Sequence, residues 1–147
     1  MDKKNDFDEL LDFVKKCSPK GICILDYSIY DESENTDGTS FRVQVLNPTK
    51  KTIKYIWFSI IGYNPVGDKV FERSKQSSSI TLKAVGPIEP DKNGTYNFEY
   101  AWFTDLVETV KIAQVKVQYM DGSIKIISET NTVKMPKGMY SILTENN

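Results

Sequence analysis

Histidine is absent from the 147 residues. With it go the commonest general base, the base of Ser–His and Cys–His nucleophile pairs, and the commonest metal ligand. The two cysteines, Cys17 and Cys23, lie close in sequence. A disulfide between them would close a small loop and stabilise little, so buried free thiols are the simpler reading. The carboxylates nearest apolar strands are Glu72, Glu99 and Asp105. Hydrolysis by paired acids needs two of them converging in a cleft, and nothing in this spacing makes them converge. Asp31, Ser33, Asn35 and Asp37 alternate as in a calcium loop. The EF-hand pattern then wants Gly sixth and Glu twelfth, where this chain has Thr36 and Arg42, so a solvated hairpin loop is expected. No Gly-rich run follows a strand and opens a helix, which removes a phosphate cradle. The chain reads as non-enzymatic, with no cofactor and no metal.

Aromatic residues remain as the candidates for binding. Tyr55, Trp57, Tyr63, Tyr96, Tyr100 and Trp102 could form a stacking platform for sugar rings, nucleobases or a partner, or could fill the core. Exposure decides between the two: a tryptophan with one ring face in water beside a second exposed aromatic marks a platform. Tyr63, Trp57, Tyr100 and Trp102 are the expected partner or glycan contacts. Gly86-Pro87-Ile88 and Asn93-Gly94 read as a crossover between sheets, with a binding loop as the alternative.

These residues hang on one stretch, Ile53 to Tyr63. Its odd positions carry Ile53, Tyr55, Trp57, Ile61 and Tyr63, and its even positions Ile56, Phe58 and Ile60. Both faces are apolar, which predicts a central strand covered on both sides. Around it, strands are expected at 22–30, 41–45, 69–73, 79–85, 95–103, 110–119 and 124–133, separated by Gly, Pro, Asn and Asp turn signals. Tyr96, Phe98, Tyr100 and Trp102 should share one face; Ala113, Val115, Val117 and Tyr119 should point inward. Ahead of the strands, Phe7, Leu10, Leu11, Val14 and Cys17 form one helical stripe over residues 6–17, with Asp6 and Glu9 in capping-box positions. Strands without alternating helices predict an all-β fold, two antiparallel sheets packed face to face with a short N-terminal amphipathic helix.

The totals agree with one domain. Lys plus Arg is 19 and Asp plus Glu is 20, so no long-range pull toward nucleic acid or anionic membrane is expected. No run is long enough to span a membrane, and Met1 to Asp6 has no apolar segment behind it. The chain as written reads as cytoplasmic, and as secreted or cell-surface if a leader has been removed. The expected division is a helix at 1–20 packed on a sandwich at 21–135, followed by a weakly held tail at 136–147.

Val43-x-Val45-x-Asn47-x-Thr49 leads into Ile53-x-x-Ile56-x-Phe58-x-Ile60, then Asn64-x-x-Gly67-Asp68-x-Val70. Gly86-Pro87-Ile88-x-Pro90, Tyr96-x-Phe98 and Trp102 follow. Across roughly residues 40–128 the pattern resembles bacterial immunoglobulin-like or fibronectin-III-like domains of the FxLYD type. Ile61-Gly62-Tyr63-Asn64 stands near the place of the Leu-Tyr-Asp of the family name. The resemblance implies an immunoglobulin-like sandwich of seven to eight strands. It implies a non-catalytic accessory or interaction module that binds a protein partner, or alternatively a carbohydrate through exposed aromatic side chains, and it carries no catalytic residues over.

Overall fold

The computed structural model describes residues 3–31, 38–71 and 78–136, with side chains from residue 7 onward. Helix α1 (Lys3–Cys17) and a 3-10 turn (Ser18–Lys20) precede seven strands. These are β1 (Cys23–Asp31), β2 (Thr39–Leu46), β3 (Ile53–Tyr63), β4 (Ser79–Ile88), β5 (Asn93–Trp102), β6 (Thr109–Tyr119) and β7 (Ile124–Ile127), and a 3-10 turn (Thr130–Thr132) follows. One sheet has the order β1-β2-β5 and the other β4-β3-β6-β7, with every strand pair antiparallel. The expected all-β sandwich with one N-terminal helix is the fold. Glu72, Ser33, Asn35, Asp37 and residues 137–147 lie outside the described residues.

The core follows from period-two burial on both sheets. Phe41, Val43 and Val45 point inward from β2; Ile56, Phe58 and Ile60 from β3; Val115, Val117 and Tyr119 from β6. Phe41 and Phe58 join the layers edge-on, with ring centroids 6.5 Å apart, and Phe98 of β5 lies 6.4 and 6.2 Å from them. Phe41 and Phe58 are fully buried, and each contributes roughly 2–3 kcal/mol by transfer from water; Phe98 is half-buried.

The structure corrects several local expectations. β3 is central in its sheet, but only its even face is in the core. Tyr55, Trp57, Ile61 and Tyr63 point outward and are half-buried. Residues 69–73 form no strand in the part described; Tyr63 and Lys69 make a single bridge. β7 stops at Ile127 rather than Val133, because the chain leaves the sheet through the 3-10 turn, and Lys134 then bridges Ile24. A bulge shifts the register between Ser59 and Ile60, so Ile112 and not Ala113 continues the inward row of β6. Gly86-Pro87-Ile88 belongs to β4, and the crossover to the other sheet is only Glu89–Lys92.

Ile22, Cys23, Ile24 and Leu25 are all buried instead of alternating, where the returning segment Val133–Met135 pairs with the backbone of Ile24. The helix begins at Lys3, so Asp6 lies inside it and is no cap. Its inward stripe is Leu10, Phe13, Val14 and Cys17, at i, i+3, i+4 and i+7, while Phe7 and Leu11 remain exposed.

Hydrogen bonds latch the helix exit to the sandwich. Ser18 Oγ donates to Pro48 O at 3.0 Å, Tyr119 OH to Gly21 O at 2.8 Å and Lys125 Nζ to Pro19 O at 2.6 Å. Both cysteines are free and buried.

Candidate binding surface

The four strands of the larger sheet carry Lys54, Lys83, Lys111, Lys116 and Lys125 and not one Asp or Glu. The smaller sheet carries Asp26, Asp31 and Glu99 against a single Arg42. Charge is therefore divided between the two layers of a nearly neutral chain.

Register assembles the outer face of the larger sheet into rows across the strands. Lys83, Trp57, Lys116 and Ile126 stand side by side in one row. Val85, Tyr55, Gln118 and Ile124 make the next. Thr81, Ser59 and Gln114 make a third, and Ser79, Ile61 and Lys111 a fourth. The apolar members at the flanks are well exposed: Val85 at 62%, Ile124 at 48% and Ile126 at 59%.

Tyr55 and Trp57 sit at the centre with ring centroids 5.6 Å apart, tilted by 56°. Lys83 Nζ lies 4.0 Å from the Tyr55 ring centre and 5.6 Å from that of Trp57. Lys116 Nζ lies 4.8 Å from Trp57, and Lys54 Nζ 5.3 Å from Tyr55. An ammonium over a ring face is attracted by the ring quadrupole, by roughly 0.5–1 kcal/mol at an exposed site. The rings thus hold the ammonium groups in place over the sheet, and the lysines occupy the ring faces.

The expected contact residues do not all meet here. Trp57 belongs to this face. Tyr63 is half-buried at the far end of β3, where its backbone accepts from Glu108 N at 2.7 Å. Tyr100 takes a left-handed backbone angle, φ 53°, in the irregular part of β5, and stacks on Phe103 at 5.9 Å and 13°.

Trp102 is corrected outright: it is fully buried. Its indole lies against Gly62, where an added Cβ would come within 3.0 Å of the ring. Its Nε1 finds no hydrogen-bond partner among the described residues. Alternation places Trp102 with Tyr96 and Phe98, and it is the inward direction of that row that sequence alone leaves open. The basic character of the outer face was equally hidden, because periodicity assigns a residue to a face but not a strand to a sheet.

Glu99 and Asp105 are exposed, on a strand and on a loop, and form no acid pair. No group of three or more Cys, Asp and Glu suited to a metal ion occurs among the described residues. A hollow of 470 Å³ beside the free edge of β7 is lined by Lys20, Lys125, Ile126 and Glu129 among others, with Glu129 as its one carboxylate. Cys17 and Cys23 share a thiol hydrogen bond, which holds the Cys17 thiol below and the Cys23 thiol above the ordinary range. Ser123, through its hydroxyl and its N–H, keeps the Asp121 carboxyl well below the usual range, and Lys51 at 2.9 Å adds to this. No helix among the described residues is long and apolar enough to cross a membrane.

No protein-family model matches the chain, and no curated protein matches it either. Among solved structures, one described as the X-ray structure of Northeast Structural Genomics Consortium target SoR45 is similar over 75% of this chain and 82% of that one. The identity is 10% and the TM-score 0.45, too slight a likeness to bear on fold or function.

Proposed function

We propose that the protein is a non-catalytic binding module that takes a protein partner on the outer face of the β4-β3-β6-β7 sheet. What supports this is the Tyr55–Trp57 pair, outward on the central strand and flanked by the exposed Val85, Ile124 and Ile126. A central aromatic anchor ringed by aliphatic and polar groups has the composition of an interface core. The strand order, three strands against four with crossovers between the sheets, favours the immunoglobulin-like form of sandwich. The FxLYD-type likeness is kept as part of the same proposal.

A carbohydrate platform has less support. Sugar rings need an open aromatic face, and lysines lie over both Tyr55 and Trp57.

Selection of displayed peptides on the immobilised protein tests the reading. Binders are expected, and at least tenfold weaker binding is expected to the surface variants Ile126→Ser and Val85→Ser. Both positions are exposed, so the fold should survive. Binders indifferent to both changes and to Trp57→Ala would place recognition elsewhere and end the proposal. Glycan binding abolished by Trp57→Ala would replace it with the carbohydrate alternative.

A further inference from the structure

Given that binding face, we infer that its partner is an acidic protein segment bearing apolar side chains, seated across the lysine-flanked rows of the larger sheet. Three observations point to this chemistry. The first is the sign of charge. Lys54, Lys83, Lys111 and Lys116 belong to strands that hold no carboxylate. On these strands a ligand meets ammonium groups, while Glu89, Glu108, Asp121 and Glu129 stand in the connections that flank them. Charge of one sign on a flat face selects the opposite sign in the partner and rejects like charge.

The second observation is preorganisation. Lys83 and Lys116 flank Trp57 in one registered row, and both ammonium groups are already held over ring faces. A free lysine loses rotamer freedom when a carboxylate fixes it; these have lost part of it beforehand. A carboxylate approaching from solvent can bridge ammonium groups that the rings keep in position.

The third observation separates a protein from other polyanions. Ile126 lies in the row of Lys83 and Lys116, Val85 and Ile124 lie in the row beside it, and all three are exposed. A nucleic acid would set phosphates beside these aliphatic groups and would have to displace lysines before a base could stack. A bilayer would have to receive aliphatic groups fixed on a rigid sheet among ammonium groups. An acidic segment with interspersed leucine or phenylalanine satisfies both kinds of group at once. A second copy of the chain fits poorly: two such faces against each other would oppose lysine to lysine.

Tryptophan emission reads this site, since Trp57 is half-buried in it while Trp102 lies sealed in the core. The full chain is titrated at low and moderate salt with three short peptides, one mixing glutamate with leucine, one mixing lysine with leucine, and one mixing serine with leucine. Oligo-dT and anionic phospholipid vesicles are run beside them. The glutamate–leucine peptide should bind at least tenfold tighter than the other two, weaken with added salt, and lose at least tenfold on the double change Lys83→Glu, Lys116→Glu.

Equal binding of the three peptides, sensitive to Ile126→Ser but not to salt, would overturn the acidic partner and leave the binding face standing. Tighter binding of oligo-dT or vesicles would overturn it in favour of those ligands, as would concentration-dependent self-association in favour of a second copy. No response to any peptide, with display binders mapping off this face, would remove the face itself. Lys83→Gln, Lys116→Gln keeps the surface polar and separates loss of charge from loss of folding, and circular dichroism confirms the fold of each variant.

Discussion

Single residues in this molecule are set by burial more than by partners. Tyr119 is the example with a measurable consequence. Its ring is buried, its hydroxyl donates to Gly21 O at 2.8 Å, and burial, with Asp121 adding to it, pushes its phenol up to about 12. In the unfolded chain the same group ionises near 10. A raised folded value means the contribution to stability is complete below pH 10 and is lost as the pH climbs from 10 to 12. The size is about 2–3 kcal/mol, at roughly 1.4 kcal/mol for each pH unit. Urea unfolding at pH 9 and pH 11.5 should show this decline, and Tyr119→Phe should flatten it. Tyr96 is also raised by burial and stays in the variant, so the difference between the two proteins isolates Tyr119. Parallel pH slopes in the two proteins would contradict the assignment.

Between elements, Asn47 ties together pieces that periodicity treats separately. It is fully buried where β2 ends. Its Nδ2 donates to Lys51 O at 2.8 Å and to Ile88 O at 2.9 Å, while its Oδ1 accepts from Thr49 N at 3.0 Å and Thr49 Oγ1 at 2.7 Å. Its backbone joins the β4–β5 crossover through Lys92 O and Asp91 N. One side chain thus fixes the turn into β3 and the crossing between sheets. Asn47→Ala strands several buried groups and should cost about 3 kcal/mol. That is a fall in melting temperature of roughly 6–12 °C for a chain of this size, read by calorimetry. A fall under 2 °C would show that the network contributes little.

Asn47 also marks the limit of what the sequence makes legible. Alternation locates β2, β3, β5 and β6 and the inward rows Phe41-Val43-Val45 and Ile56-Phe58-Ile60, because a half-buried strand must alternate. It cannot register the bulge at Ser59–Ile60, which moves Ile112 into the core, or tell that the row of Phe98 and Trp102 faces inward. That shift is chosen by pairing across the sheet, through contacts far apart in the chain. The outward direction of Tyr55 and Trp57 is illegible for a similar reason. An apolar row reads the same whether another layer covers it or lysine stems from β4 and β6 do.

At the scale of the whole molecule, the charge carried by the strands is divided by layer, which the net charge of −1 does not reveal. The pI is about 5.5, so at pH 7 an average over the surface predicts exclusion from a cation-exchange resin. Adsorption, however, is decided by the face that reaches the resin. Opposite charges on the two layers lie on opposite sides of a sandwich whose facing sheets pack about 10 Å apart. At 0.1 M salt the screening length is near 10 Å, and it rises to about 30 Å at 0.01 M. At the lower salt the acidic layer partly cancels the basic one, and at the higher salt each face acts alone but weakly. Retention on a sulfonate resin at pH 7 should therefore be greatest at intermediate salt, a few hundredths molar, and Lys83→Glu, Lys116→Glu should abolish it. A chain with evenly mixed charges would instead pass through at every salt concentration, and passage of the unaltered protein throughout would refute the division of charge between the sheets.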